Sequence, residues 1–205
     1  RSVVSHPSSS ILGEWDMEHN PKILIATLCK YTVTANCALS LVNMVKSFPY
    51  EVQYAIQMGV DVTGGRITLA KKACELGFTH ILFVDDDQSF SSAEVNPLMK
   101  LLEEDKDIIG ADYNYRRLPL ESVTTTLTER ADGLFKCKGL ATGFMLIKTS
   151  VFKKLEQPWF SFEKDSEGEL LMGSDEYFCE KAIAAGFDVW CDPSIKVGHV
   201  GNYIY

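Results

Sequence analysis

Residues 79–90, THILFVDDDQSF, place four apolar residues directly before three aspartates. Two of the four are β-branched and polar residues bound the run, which is typical of a fully buried strand of a parallel sheet. Three adjacent carboxylates repel one another, so they contribute little to folding. In open α/β sheets, ligands bind at the carboxyl ends of the strands. The stretch therefore predicts a strand that ends in a ligand site, and the alternative is a solvated acidic turn.

Strand-like and helix-like segments alternate through the first 110 residues. Strand patterns occupy residues 22–28, 51–58, 81–84 and 107–116, and helical patterns occupy residues 34–48, 66–78 and about 92–104. Gly64 and Gly65 are expected to precede the second helix, with Gly77 ending it, and Ser91 or Ser92 is expected to cap the third. The alternation predicts an α/β fold with a mostly parallel sheet that helices cover on both faces.

The pattern changes after residue 110. Shorter strands are expected in residues 122–130 and 134–140, around a turn at Asp132 and Gly133. A strand that leads into a helix follows in residues 141–155, then a helix in 174–187 and a final short strand in 188–193. This predicts a smaller antiparallel portion in the C-terminal half. Residues 1–20 are interpreted as a disordered leader, and residues 21–205 as one domain with halves at 21–110 and 111–205.

Charge and composition narrow the function classes. The chain has 205 residues and a formal net charge of −8. A nucleic-acid groove would need a basic field, so this class is disfavoured, and a phosphorylated ligand would need local cations or a metal. The six cysteines show no CxxC and no zinc-ligand spacing, which indicates reduced thiols and a cytoplasmic location. No apolar run approaches the roughly 20 residues of a membrane span, and no signal peptide is visible.

The aspartates suit a metal site. Alternation along an extended strand end places Asp85 and Asp87 on one side and Asp86 on the other. Two carboxylates spaced in this way can bind a divalent cation together with the phosphate oxygens of a ligand. The cation would supply the positive charge that an acidic protein lacks.

Six segments occur in an order that resembles a known family. They are KILIATL, GGRITLAKKA, FVDDDQSF, ATGFMLI, GSDEYFCEKAIAAGF and DPSIKVGHVG. In this order they resemble the GT-A-type nucleotide-sugar glycosyltransferases, above all the small single-domain members of large DNA viruses (chlorella virus type) and phages. The resemblance spans residues 22–199. It implies a GT-A (Rossmann-like) fold and FVDDDQSF as the DxD motif, and, for a viral protein, the host cytoplasm as its location.

On the donor side, the resemblance assigns roles to four positions outside the acidic motif. Thr27 and Leu28 would line the nucleoside pocket, and Arg66 would lie near the base or phosphates of the donor. An exposed arginine at the start of a helix is the alternative for Arg66. Gly143 would let the backbone approach the donor sugar closely.

The acidic motif and a C-terminal histidine would hold the metal. The resemblance places Asp85 at the ribose and among the metal ligands, Asp87 on the metal and Asp86 in support. His199 matches the C-terminal metal histidine of the family, and a surface loop histidine is the alternative. An imidazole beside carboxylates favours Mn²⁺, with Mg²⁺ also accommodated.

The C-terminal half is expected to bind the acceptor. The resemblance places an acidic motif at Asp175 and Glu176, with Asp175 the preferred base and Glu176 the second choice. Acidic residues also favour helix N-termini without any catalytic role. Trp159, Phe160 and Phe162 would form an acceptor platform and lid, with core packing as the alternative. Tyr113 and the residues that follow it, Tyr115, Arg116 and Arg117, would border the cleft.

The function predicted is metal-dependent transfer of a sugar from a nucleotide-diphosphate sugar, expected to be a UDP-sugar, to a hydroxyl of a glycan or glycoprotein. The chain could form one module of a larger enzyme. Two alternatives stay open. A haloacid-dehalogenase-type phosphatase also uses an aspartate pair after a buried strand, although its motif normally opens the fold. A non-catalytic, metal-dependent nucleotide or carbohydrate binder would need no base at Asp175, and turnover with an acceptor distinguishes it from an enzyme.

Overall fold

A computed structural model of the chain describes residues 20–59, 61–127 and 133–201. The predicted leader, apart from its last residue, lies outside the described residues, and so does Asp132 of the predicted turn. The N-terminal half contains β1 (Lys22–Cys29), α1 (Ala35–Lys46), β2 (Glu51–Met58), α2 (Val62–Glu75), β3 (His80–Val84), β4 (Gln88–Phe90), α3 (Pro97–Glu103) and β5 (Ile108–Ala111). The C-terminal half contains β6 (Thr125–Thr126), β7 (Phe135–Gly139), β8 (Phe144–Lys148), α4 (Thr149–Lys154), β9 (Glu163–Lys164), β10 (Leu170–Met172), α5 (Ser174–Ala184), β11 (Val189–Asp192) and β12 (Val197–His199).

The central sheet has eight strands in the order β2-β1-β3-β8-β5-β11-β7-β6. Strands β1, β2 and β3 are parallel, as are β5 and β11. Strand β8 lies between β3 and β5 and is antiparallel to both, and β7 is antiparallel to β11 and β6. The predicted fold class, an α/β protein of GT-A (Rossmann-like) type with a mainly parallel sheet and a smaller antiparallel portion, is confirmed.

Helices cover both faces of this sheet, as the strand pattern requires. Residues 81–84 are fully buried and alternate between two apolar clusters, with Ile81 and Phe83 in one and Leu82 and Val84 in the other. Side chains along a strand point to opposite faces in turn, so a strand buried on both faces reads as a continuous apolar run. The acidic residues that follow therefore leave the sheet from its core and not from an exposed edge.

Two helix starts differ from the predicted ones because other side chains cap them. Helix α2 begins at Val62 and contains both Gly64 and Gly65, since Asp61 Oδ1 accepts a hydrogen bond from Gly64 N at 2.7 Å. Helix α3 begins at Pro97 and not near Ser91 or Ser92. Its cap is Asn96, whose Oδ1 accepts hydrogen bonds from Leu98 N and Met99 N at 3.0 and 3.3 Å. At α5 the cap position is Gly173, and Ser174 is the first helical residue.

Two short strands that the sequence did not reveal lie at the carboxyl end of β3. Strand β12 pairs with β4 in an antiparallel ladder that sets His199 opposite Gln88. This small sheet returns the C-terminal segment of the described chain to the three aspartates. The ladder therefore positions His199 beside the acidic motif.

Candidate functional site

The loop that holds the three aspartates is fixed by its own backbone. Asp85 N donates to Gly143 O at 3.1 Å, Thr34 N donates to Asp86 O at 2.9 Å, and Val200 N donates to Asp87 O at 2.7 Å. These bonds tie the loop to the start of β8, to the turn before α1 and to the end of β12. The three carboxylates are thus presented on a rigid backbone at the carboxyl end of β3.

Helix α1 packs against this loop through small polar side chains. Cys37 Sγ donates to Asp85 O at 3.4 Å, and Phe90 N donates to Ser40 Oγ at 3.0 Å. The buried face of α1 contains Cys37, Ser40, Leu41 and Met44, whereas Val42 is exposed.

Asp87 lies between a histidine and an arginine. His199 Nε2 is 3.4 Å from Asp87 Oδ1, and an Arg116 guanidinium nitrogen is 2.8 Å from Asp87 Oδ2. His199 Nδ1 faces Asn114 O at 3.1 Å, and the Tyr113 and His199 rings meet edge to face with centroids 5.5 Å apart. The second ring nitrogen is thus held by a carbonyl, an arrangement that orients a histidine whose other nitrogen binds a metal.

A second cluster connects the two predicted halves. The buried Arg66 donates to Ser174 Oγ at 2.7 Å and to Asp175 Oδ1, and its Nη2 is 3.7 Å from Asp85 Oδ1. The guanidinium also lies 5.9 Å from the centre of the Phe160 ring. Arg66 therefore joins the acidic loop to the start of α5, and it is not the exposed helix-start arginine of the alternative interpretation.

Asp175 is held through both of its oxygens. Oδ1 accepts from Arg66 and from Ser174 Oγ, and Oδ2 accepts from Thr142 N at 3.1 Å. A carboxylate offers about four acceptor sites, so Oδ2 retains one for a further hydroxyl. The side chain is 29% exposed, which leaves that site open to a ligand. Glu176, the second choice as base, is partly exposed on the same helix turn.

Burial dominates the electrostatics of the acidic loop. Desolvation raises the pKa of Asp85 to about 6, the nearby Arg66 opposes this, and the charges of Asp175 and Asp87 add to it. Desolvation also raises the pKa of Asp86. Burial of the Asp85 carboxyl disfavours its ionised form and so costs stability at neutral pH. Carboxyls with strongly shifted pKa values are common at functional sites.

Gly143 and Tyr113 contact each other and not an open cleft. Gly143 N donates to Tyr113 Oη at 3.1 Å, and a Cβ added at Gly143 would lie 2.1 Å from that oxygen and 2.9 Å from Gln88 Nε2. Only glycine fits here, as expected, but the group that approaches it is the Tyr113 hydroxyl. Tyr113 is buried and packs against the His199 ring. Its side chain therefore does not offer the exposed surface that the predicted acceptor contact requires.

The aromatic segment after α4 belongs to the core. Trp159 and Phe160 are buried and pack with Phe152 and Phe178, and Trp159 Nε1 donates to Leu155 O at 3.0 Å. Core packing, the alternative interpretation, therefore replaces the acceptor platform at these two positions. The reason is that α4 and α5 present an apolar face to them. The exposed aromatic of this segment is Phe162.

The two predicted nucleoside-pocket residues lie near the end of β1. Thr27 is fully buried, whereas Leu28 is partly buried and packs against the apolar cluster of Leu24 and Phe83. Leu28 thus offers some surface to a ligand, whereas Thr27 offers none. The nucleoside role stays a prediction for both.

The sequence analysis gave no role to the Thr142 amide and placed Arg116 only at the border of the cleft, and the structure brings both groups to the site. The Thr142 backbone N–H binds Asp175, and Arg116 binds Asp87. The signal for Arg116 was a basic pair directly after a strand that ends at the ligand edge. No sequence signal marks a backbone amide, whose role follows from the path of the chain alone.

A metal would need donors from its ligand as well as from the protein. Within the described ranges, no group of three or more His, Cys, Asp or Glu side chains is arranged to hold a metal ion. Asp87 and His199 supply two donors, and the mixed oxygen and nitrogen set suits Mn²⁺. Cations at phosphate sites commonly take one or two carboxylates and complete their shell with phosphate oxygens and waters. The residues present fit a cation of this kind.

Comparisons with known proteins give a fold and no family. No protein-family model matches the chain, and no curated protein matches it in sequence. The crystal structure of A197 from STIV is similar with a TM-score of 0.65 and 19% identity, over 88% of this chain and 86% of that one. Apo UDP-glucose pyrophosphorylase has a TM-score of 0.47 at 11% identity, over 87% and 76% of the two chains. The same enzyme complexed with UDP-glucose has 0.48 at 10%, over 86% and 74%.

Two global properties accompany this fold. All six cysteines are free thiols, and five of them are buried. In the part of the chain that the structure describes, no helix combines the length and apolar character needed to cross a membrane.

Proposed function

We propose that this protein is a metal-dependent glycosyltransferase that moves a sugar from a nucleotide-diphosphate sugar to a hydroxyl of a glycan or glycoprotein. The observation that supports this most is the approach of His199 Nε2 to Asp87 Oδ1, 3.4 Å, beside the other two aspartates. Asp87 follows β3 and His199 ends β12, and the two residues meet at the edge of the sheet where α/β proteins bind their ligands. A solvated acidic turn would not require a histidine held in place by Asn114 O.

Asp87 and His199 would hold Mn²⁺, or Mg²⁺, together with the donor diphosphate. The bound cation would stabilise the negative charge of the departing diphosphate. Asp85 would contact the ribose and Asp86 would support the loop. Arg66 is engaged by Ser174 and Asp175, so its role here is to hold the acceptor-side carboxylate and not to bind phosphates. A UDP-sugar is the donor expected from the family resemblance.

Asp175 would orient the acceptor hydroxyl and receive its proton. Arg66 and Ser174 occupy Oδ1, and the Thr142 amide fixes Oδ2 with one acceptor site left. A base must lie within hydrogen-bond reach of the proton that it abstracts. Three hydrogen bonds already fix the Asp175 carboxylate, so little side-chain entropy would be lost when it binds an acceptor hydroxyl. Glu176 is the alternative base on the same turn.

Nucleoside diphosphate release from nucleotide sugars tests this function. The protein is incubated with Mn²⁺, a series of UDP-, GDP- and ADP-sugars, and simple glycosides as acceptors. We expect one donor to be consumed, and consumption to rise with a suitable acceptor. The Asp175→Asn variant should bind the nucleoside diphosphate normally and lose at least about 100-fold in turnover. Glu180→Gln, on the same helix but paired with Lys138 on the surface, is the matched control.

Three outcomes would contradict the proposal. Release of inorganic phosphate from phosphomonoesters would favour the haloacid-dehalogenase-type phosphatase. Nucleotide binding without consumption of any donor would favour a non-catalytic binding domain. Equal loss of binding and turnover in Asp175→Asn would remove Asp175 from the acceptor side and leave it as a structural partner of Arg66.

A further inference from the structure

Arg116 contacts the carboxylate that the proposed metal site requires. Its guanidinium is 2.8 Å from Asp87 Oδ2, while the other carboxylate oxygen faces His199 Nε2 at 3.4 Å. Both oxygens of Asp87 therefore have a partner in the protein. The Asp87 side chain is 13% exposed and that of Arg116 is 50% exposed, so the arginine covers a recessed carboxylate from the solvent side.

The two arginines of the site differ in their freedom to move. Arg66 is buried, with Ser174, Asp175 and Asp85 around its guanidinium. Arg116 is half exposed, and Asp87 is its ion-pair partner. It extends from a short hairpin in which Tyr115 N donates to Glu121 O at 2.9 Å and Asn114 bridges to Ser122. The backbone of Arg116 is thus fixed near the site while its long side chain can change partners.

The charge balance gives Arg116 a second partner. Phosphate oxygens of a donor held at Asp87 and His199 would lie next to the carboxylate that the guanidinium already contacts. Arginine binds phosphate through paired N–H groups, and these charged hydrogen bonds are stronger than neutral ones. Three aspartates line this loop, so a cation from the protein would add to the stabilisation that a bound metal gives a diphosphate.

We propose that Arg116 is a diphosphate-binding residue that pairs with Asp87 in the ligand-free protein and turns to the phosphate oxygens of a bound nucleoside diphosphate. This rests on the proposed function, since it assumes that a diphosphate binds at Asp87. It has two consequences of opposite sign. Arg116 competes with a metal ion for Asp87 when no nucleotide is present, and it strengthens binding once the diphosphate has arrived.

Arg117 offers a matched control. It is adjacent in sequence and carries the same charge, but it pairs with Glu121 and stacks on Tyr115. Both arginines are half exposed or more, so their replacement by alanine should leave the unfolding midpoint unchanged within error. The variants Arg116→Ala and Arg117→Ala therefore separate position from net charge.

Two titrations test the inference. In the first, Mn²⁺ alone is titrated and free Mn²⁺ is followed by electron paramagnetic resonance. Arg116→Ala should bind Mn²⁺ about twofold to fivefold more tightly than wild type, the effect of removing one partly exposed ion pair. In the second, the nucleoside diphosphate that wild type binds is titrated at saturating Mn²⁺. Arg116→Ala should bind it at least about tenfold more weakly, Arg116→Lys should be intermediate, and Arg117→Ala should equal wild type.

The outcomes separate this inference from the proposed function. If wild type binds no nucleoside diphosphate with Mn²⁺, the proposed function fails and the diphosphate role of Arg116 fails with it. If wild type binds one and Arg116→Ala binds it as tightly as Arg117→Ala does, the inference alone is overturned. Weaker Mn²⁺ binding in Arg116→Ala would also overturn it, because Arg116 would then support Asp87 instead of competing for it.

Discussion

Asp85 is a carboxyl whose ionised form the fold disfavours. Burial raises its pKa to about 6, the charge of Arg66 opposes that rise, and the charges of Asp175 and Asp87 add to it. An aspartate in the unfolded chain titrates near about pH 4. The folded protein therefore holds more protons at this position between about pH 4 and pH 6. The corresponding contribution to stability is fully present below about pH 4 and is lost as the pH rises through 6.

Replacing Asp85 by asparagine should remove this pH dependence. We expect the free energy of unfolding of Asp85→Asn, relative to wild type, to increase from pH 4 to pH 8, because wild type alone must ionise the buried group. Urea unfolding at pH 4, 6 and 8 measures the difference. Asp105→Asn is the control with the opposite sign, since Lys148 lowers the pKa of Asp105. A relative stability of Asp85→Asn that falls towards pH 8 would show that the Arg66 pair outweighs burial.

Individual site residues were predictable to different degrees. Asp87 and His199 were paired by the family resemblance, and the ladder between β12 and β4 brings them to 3.4 Å. The contact between Arg66 and Asp175 was not expected, because nothing in a local pattern tells which buried carboxylate an arginine meets. Trp159 and Phe160 were assigned wrongly because aromatic residues suit both a sugar-binding platform and an apolar core, and the sequence does not distinguish the two.

At the scale of single elements, the long periodic segments were readable and the helix starts were not. Buried strands and α2, α4 and α5 follow from apolar spacing. The start of α3 depends on Asn96, whose Oδ1 caps the helix while its Nδ2 donates to Met44 O at 2.8 Å and Ser47 Oγ at 2.9 Å. The contact with α1 holds Asn96 at the cap position, and no local sequence pattern shows that contact. Ser91 and Ser92 are also residue types that cap helices, which is why the sequence predicted them.

Asn96→Ala tests which residue caps α3. The change removes two cap bonds and two bonds to the end of α1, so we expect a loss of about 2 kcal/mol in the free energy of unfolding. Ser91→Ala, which removes one local bond to Ala93 N, should change it by about 0.5 kcal/mol or less. Chemical denaturation of both variants provides the measurement. A larger loss in Ser91→Ala than in Asn96→Ala would contradict this description of the helix.

At the scale of the molecule, the alternation of strands and helices predicted the mainly parallel sheet but not the order of its strands. Strand β8 inserts between β3 and β5 with reversed direction. That insertion brings Thr142 and Gly143 next to the acidic loop, where Gly143 O accepts from Asp85 N. Strand order depends on pairing between segments that are distant in the chain. The sequence pattern shows which faces of a strand are buried, but it does not show which strands are neighbours.

The acidic loop after β3 and the start of α5 both contact the residues directly before β8. The three aspartates of the acidic motif follow β3 and Asp175 lies in the first turn of α5, and Arg66 contacts both Asp85 and Asp175. The chain carries a formal net charge of −8, and four of its aspartates meet in this region. Binding of an anionic donor should therefore depend on a divalent cation, and chelation should abolish it.

Calorimetric titration of UDP, GDP and ADP, each with Mn²⁺ and with excess chelator, tests the central claim most directly. We expect one nucleoside diphosphate to bind when Mn²⁺ is present and none to bind with chelator. Asp87→Asn should lose that binding by at least about 100-fold, whereas Asp107→Asn, on the surface near Lys148, should retain it. Equal binding with Mn²⁺ and with chelator, or unchanged binding in Asp87→Asn, would contradict a metal-dependent donor site at the end of β3.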